Sequence, residues 1–484
     1  MRLVDAERAV LALLAGYASL GVAGTCWLLG HGAVPDWLLP VAAAIGLAVA
    51  ALHRPPPPLP SATRTWQVLA VVLVVAGLAA ILAWGALATP SRYWDGAVAW
   101  DLKAVALAAD PTLEQPFFRD AAVYSHSRDY PLLQPLALAL AARHGLPGRL
   151  LFPAAYVAIV IAVAAASRRA GASSGRALLF GLACAVTPMF TAPTSGGFDS
   201  GYADGLLAAS LAATALGITS RAAILVATGT LVMVMQKPEG LPYAAMLAAA
   251  LFLRGDTAML RATTLAGAAG GGLLLALQHD LHTFGHPTRI ATTLLAACAS
   301  AAIVLGLDLA LHRLGATWRT RTVVLLAAAP LAVAVLVLSS GGEGIAGTHL
   351  ANLARACDQL DRLPSVVYSM LDCAWFRGRY GLTFVAPLAI AYALRGRRDT
   401  AAPALLCWIL MAVPLWCAPF LLAPIEPIEH HLRSTMPRLL LHWCGVVWIW
   451  SAVQLRPSAA PEAIAPRAAS PAASIANSVH DARA

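Results

Sequence analysis

Apolar runs separated by short polar connections order this chain. They fall near residues 9–30, 37–52, 66–88, 149–166, 177–190, 203–219, 222–235, 241–253, 262–277, 290–311, 322–338, 381–394, 402–422 and 439–455. About 20 apolar residues cross a bilayer as a helix, and about 17 can suffice. The pattern predicts an all-α polytopic membrane protein, a helical bundle of about fourteen spans. The first run is expected to be a retained first helix, because it is too long for a cleavable leader.

Polar segments divide the chain further. HRPPPPLPSATR, after the second run, holds four successive prolines, which cannot continue a helix and favour an extended linker. The expected organisation is two N-terminal spans with this linker over 1–65, a main transmembrane unit over 66–455, and a tail over 456–484. The tail, rich in Ala, Pro and Ser, is expected to be disordered and cytoplasmic. Arg168, Arg169, Arg176, Arg221, Arg254, Arg261, Arg313, Arg319, Arg321, Arg395, Arg397 and Arg398 fall on alternate connections, which the positive-inside rule assigns to the cytoplasm. The opposite face then carries 89–148, 191–202, 236–240, 278–289, 339–380 and 423–438. No internal repeat is evident.

Composition agrees. The chain is 59% hydrophobic and 12% charged, about half the charge of a soluble domain. Its mean hydropathy is +0.72. The formal net charge of +9 comes from Arg between the apolar runs, so it reports topology and not a nucleic-acid partner. The eight cysteines form no CxxC and no Cys/His cluster, and no metal site is expected. HDLH and HTFGH at 279–286 have superficially metal-like spacing, but they read as a plain interfacial loop.

The chemistry concentrates in the first outer loop. YWDGAVAWDLKAVALAADPTLEQPFFRDAAVYSHSRDYPLLQP, residues 93–135, is dense in ionisable groups beside membrane spans. Such groups are costly there and mark function. Asp95 follows an aromatic pair at a span exit, where a partly buried carboxylate can act as a general base on a hydroxyl. A helix-terminal Asp at the interface is the plain alternative. A helix over 94–109 would bring Lys103 within about 80° of Asp95, to hold a phosphate or simply to form a salt bridge. The following run, LLQPLALALAARHG, holds Gln134 and two prolines with Pro131, and predicts a re-entrant or surface helix. Together 94–145 should form two short helices along the membrane. Cys357 and Cys373 are the only cysteines placed in an outer loop, and a disulfide closing a helical hairpin is one expectation there. Two unpaired thiols are the other.

Several of these segments resemble bacterial membrane glycosyltransferases of the GT-C superfamily, relatives of the protein O-mannosyltransferases and aminoarabinose transferases. WDxxxxWxLKAxAL at 94–107 and an HxDYPLLxPL-like element at 126–136, with one extra residue in HSRDYP, are similar to its first outer loop. Gly201-Tyr202-Ala203-Asp204, Lys237-Pro238-Glu239-Gly240 and HLRSTMPRLLLH at 431–442 resemble three further elements. The resemblance covers roughly 66–455, and each element falls on the face that charge parity puts outside. It implies a GT-C-like bundle with interfacial helices in the first outer loop. The implied reaction is inverting sugar transfer from a polyprenyl-phosphate donor to an acceptor at the outer face of the cytoplasmic membrane. Asp95 would be the base. Lys103, Lys237, Arg433 and Arg438 would hold the donor phosphate. Asp101, His126, Arg128, Asp129, Asp199, Asp204 and Glu239 would line the pocket. The lipid-linked sugar is a co-substrate, and no resident cofactor is implied. A transporter or flippase of a lipid-linked or anionic substrate is the second reading. It should place its charges mid-span, whereas here they lie near span ends.

Overall fold

The computed structural model describes residues 3–54, 65–88, 95–120, 122–123, 130–191, 197–283, 287–325, 357–393, 401–422 and 427–454. His126, Arg128 and Asp129, most of the proline linker, residues 339–356 and the tail lie outside them. The described residues are helical, with no strand among them. The helices are α1 (Leu3–Leu29), α2 (Leu38–Leu52), α3 (Thr65–Ala88), α4 (Leu102–Ala109), α5 (Pro116–Arg119), α6 (Leu133–Arg143), α7 (Leu151–Arg169), α8 (Ser174–Ala185), α9 (Pro188–Thr191), α10 (Asp204–Ser220), α11 (Ala223–Gln236), α12 (Gly240–Arg254), α13 (Thr257–Thr283), α14 (Pro287–Arg313), α15 (Leu363–Leu371), α16 (Ala386–Ala393), α17 (Ala401–Leu422), α18 (Ile428–Leu441) and α19 (Cys444–Gln454). Six of these stretches, in α1, α3, α7, α13, α14 and α17, are long and apolar enough to cross a membrane; six shorter helices are also apolar. The protein is a membrane-embedded helical bundle.

Burial separates the helices into core and periphery. In α10 every residue from Asp204 to Ile218 is buried, so it is apolar all round and has neighbours on every side. It packs against α7, α11 and α19. By contrast α3 leaves Trp66, Leu69, Leu73, Ile81 and Trp84 exposed. That continuous apolar surface suits hydrocarbon and not water.

Ion pairs tie the helices together near both ends. At one end Arg169 of α7 grips Glu7 of α1 with both carboxylate oxygens, at 2.5 and 2.9 Å. Arg321 there donates to Asp308 of α14 at 2.6 Å. At the opposite end Arg119 donates to Glu114 at 2.7 Å and lies 3.1 Å from Asp280, while His31 Nδ1 meets Glu114 at 2.6 Å.

Three expectations are corrected here. Of the two readings of the α6 segment, re-entrant or surface helix, the surface one is excluded: Leu133 to Ala141 are all buried, and α6 packs against α1 and α4. At about 16 Å it is also too short to cross a bilayer. Gln134 is tolerated because it is hydrogen-bonded inside the protein. Residues 278–283 are not a loop but the last turns of α13, with Asp280 buried beneath Arg119. Cys373 is a free, buried thiol, so it does not staple Cys357.

Candidate active site

Four chain segments far apart in sequence meet where α10, α12, α18 and a turn of π-helix begin or end. Asp204 is the first residue of α10, where the helix dipole favours a carboxylate. Gly201, at φ +77°, makes the left-handed bend that admits the chain to this helix. The link between α11 and α12 is the tight turn Lys237–Gly240, closed by Gly240 N–H donating to the Lys237 carbonyl at 2.9 Å. Only glycine fits at 240, since a β-carbon there would stand 1.7 Å from the Met233 carbonyl oxygen. Arg438 lies in the last turn of α18, and Asp95 opens the π-helical turn Gly96–Asp101.

Asp204 is the centre. It is fully buried, and it accepts from Lys237 Nζ at 2.9 Å, Arg438 Nε at 3.0 Å and His442 Nε2 at 2.7 Å. A carboxylate this deep is tolerable because charged and neutral donors replace its water. Lys237 reaches Glu239 as well, at 3.0 Å. Arg438 Nη1 donates to Asp95 Oδ2 at 2.5 Å, and its guanidinium lies 4.2 Å from the centre of the Tyr202 ring. His442 Nδ1 meets the Tyr243 hydroxyl at 3.2 Å. With the imidazole neutral, Tyr243 donates to Nδ1, and Nε2–H donates to Asp204.

The electrostatics follow from burial and pairing. Burial opposes the charge on Lys237, but Asp204 and Glu239 outweigh it and hold the ammonium above its usual range. Burial likewise works against Arg438, and Asp204 and Asp95 again prevail, raising it. Burial would raise Glu239, yet Lys237 draws it below the usual carboxylate range. For His442 burial prevails over Asp204 and lowers the imidazole, which keeps it neutral. Among the described residues of this cluster, three carboxylates therefore face two cations. The side chains of Asp95 and Glu239 are 35% and 29% exposed, whereas Asp204 is sealed, so those two mark the open side.

A neutral network backs this cluster. The Tyr17 hydroxyl donates to Gln236 at 2.8 Å, Gln236 to Gln134 at 3.0 Å, and Gln134 to the Gly201 carbonyl at 2.8 Å. It fixes the Gly201–Asp204 bend against α1, α6 and α11. Trp443 stands edge-on to Tyr243, Trp408 and Trp416 behind His442, an apolar wall on the closed side.

The structure thus unites Asp95, Asp204, Lys237, Glu239 and Arg438. The other expected residues have different surroundings. Lys103 is fully buried, donates to the Tyr130 carbonyl at 3.2 Å and sits 5.8 Å from the centre of its ring. The π turn widens the helix after Asp95, so the regular α spacing that aligned Lys103 with it does not hold. Tyr130 is within electrostatic reach of the cluster. Burial, with Glu239 and Asp95 adding, pushes its phenol up to about 12. Asp101 pairs with Arg149, which also donates to the Ala86 carbonyl at 3.4 Å, and so braces the π turn against α3. Asp199 is half-buried against Gly85 of α3. Arg433 is exposed on α18, about 140° round the helix from Arg438. His442, Tyr243 and Tyr202 join the site; Tyr202 and His442 lie in the segments of resemblance, which assign them no role. His442 stands four residues after Arg438, a spacing that puts two helical side chains on one face.

Compared with known protein families, curated proteins and solved structures, the chain matches none.

Proposed function

We propose that this protein is a membrane glycosyltransferase of the GT-C kind, a bundle of about fourteen spans. It would move a sugar from a polyprenyl-phosphate donor to an acceptor at the outer face of the cytoplasmic membrane. The observation that carries the reading is the Asp95–Arg438–Asp204–Lys237 cluster. It sets a partly exposed carboxylate beside two cations at the ends of apolar helices.

The chemistry requires little more. Asp95 takes the proton of the acceptor hydroxyl as its oxygen attacks the anomeric carbon from the face opposite the phosphate. The bond from that carbon to the phosphate oxygen breaks with inversion. Arg438 and Lys237 stabilise the negative charge that develops on the departing lipid phosphate. Asp204 and His442 do not meet substrate; they keep the two cations in place. The charges sit at helix ends and not mid-span, which favours this reading over a transporter.

The test is direct. Purified protein is given labelled polyprenyl-phosphate sugars and an envelope fraction, and label is followed from lipid to acceptor. Transfer that depends on the protein supports the reading. Movement of intact donor across sealed vesicles without transfer supports the flippase instead.

A further inference from the structure

Arg438 holds two carboxylates in unlike surroundings. Its Nε bond goes inward to Asp204, which is sealed and is also held by Lys237 and His442. Its Nη1 bond goes to Asp95, whose side chain is 35% exposed and opens a short helical turn. The planar guanidinium donates in fixed directions, so it can keep one partner while the other is replaced. The Asp95 contact lies on the open side.

We infer that Arg438 exchanges Asp95 for the donor phosphate, so that the base is released only when donor is bound; this rests on the glycosyl-transfer reading above. Charge balance favours such an exchange. Among the described residues of the cluster, three carboxylates already face two cations, and each cation is engaged by two of them. An added phosphate binds well only if one carboxylate yields its cation and turns to water or a hydroxyl. Asp204 cannot do so from a sealed position without a large desolvation cost. Of the two carboxylates on the open side, Asp95 is the more exposed and is the one that Arg438 holds. Once released, it accepts the acceptor's proton, the acceptor oxygen bonds to the anomeric carbon, and the sugar–phosphate bond breaks. Its electron pair stays on the phosphate, now held by the same Arg438 nitrogen.

A consequence separates this from simple proximity: Asp95 and donor compete for Arg438. Asp95→Asn should therefore bind donor phosphate more tightly while losing turnover. The experiment is calorimetric titration of the full chain, in nanodiscs, with a short-chain polyprenyl monophosphate. Wild type and Asp95→Asn are compared at low salt and at about 0.5 M salt. The exchange predicts about tenfold tighter binding by Asp95→Asn, a difference that survives high salt because it reflects a direct contact. Equal or weaker binding by the variant overturns the exchange and leaves the donor reading standing. A gain that disappears at high salt also overturns it, since that is a screened long-range field effect. Absence of binding by both proteins overturns the donor reading and the exchange with it.

Discussion

Arg438 Nη1 lies 2.5 Å from Asp95 Oδ2, across 343 residues of sequence. That contact joins the first outer loop to the end of α18, and through Arg438 Nε it reaches Asp204 at the start of α10. The expected consequences of this arrangement can each be measured.

Asp204 neutralises two buried cations, so its loss should be felt in the fold. Asp204→Asn keeps the shape but leaves Lys237 and Arg438 short of negative charge in the interior. Breaking a buried pair in this way costs about 3–5 kcal/mol. Thermal unfolding in detergent should show a clearly lower midpoint. An unchanged midpoint would mean that Asp204 is not the electrostatic centre.

Acid should weaken the bundle in two stages. His442 is held below its ordinary value of about 6.5, so the unfolded chain binds the proton more readily, and stability falls as pH drops below that value. Glu239 is held below the usual carboxylate range; its contribution is present above about 4.3 and is lost as pH falls through its lower, folded value. Lys237 acts oppositely. Raised in the fold, it contributes fully below about 10.4 and fades as pH rises through its folded value. Unfolding midpoints measured between pH 8 and pH 4 should decline toward acid, with a first step that His442→Gln removes. A first step retained in that variant would assign it to another group.

The turn at Gly240 should tolerate no side chain. With the Met233 carbonyl oxygen 1.7 Å from the place of a β-carbon, Gly240→Ala must open the α11–α12 link and move Lys237 and Glu239. Loss of folded protein or of turnover is expected, seen by size-exclusion elution and by assay. Wild-type behaviour in both would contradict this role.

Cys373 should react as a hindered free thiol. It is buried and unbonded, and burial pushes its thiol up. Alkylation should be slow in native protein and complete after unfolding without reductant. A requirement for reductant would reinstate a disulfide.

Much of this was legible in the sequence, for physical reasons that vary by residue. Apolar runs at 203–219, 222–235 and 241–253 became α10, α11 and α12 within a few residues, because length and hydropathy suffice for such helices. Asp95 stands out because charge beside apolar runs is costly, whereas Asp204, Lys237, Glu239 and Arg438 are marked by the resemblance of their segments to GT-C glycosyltransferases. Their mutual contact needed the fold. Asp101 and Lys103 carry the same signal, and their contacts with Arg149 and with Tyr130 are not legible in it. A lone ionisable residue does not reveal its partner. The burial of α6 is not legible because Gln134 and the prolines argue only against a full span. The Gln134 partners, Gly201 and Gln236, are 67 and 102 residues away. His442 lies at the edge of an apolar run, and its pointers are its four-residue spacing from Arg438 and its place at the end of the 431–442 segment.

The role of Asp95 is tested most directly by turnover of Asp95→Asn, with labelled polyprenyl-phosphate sugar as donor and an envelope fraction as acceptor. The substitution removes a proton acceptor at nearly constant volume, on a partly exposed side chain. The account predicts an unfolding midpoint close to wild type and a rate lower by about a hundredfold to ten-thousandfold. A folded Asp95→Asn protein that transfers sugar at the wild-type rate would contradict it.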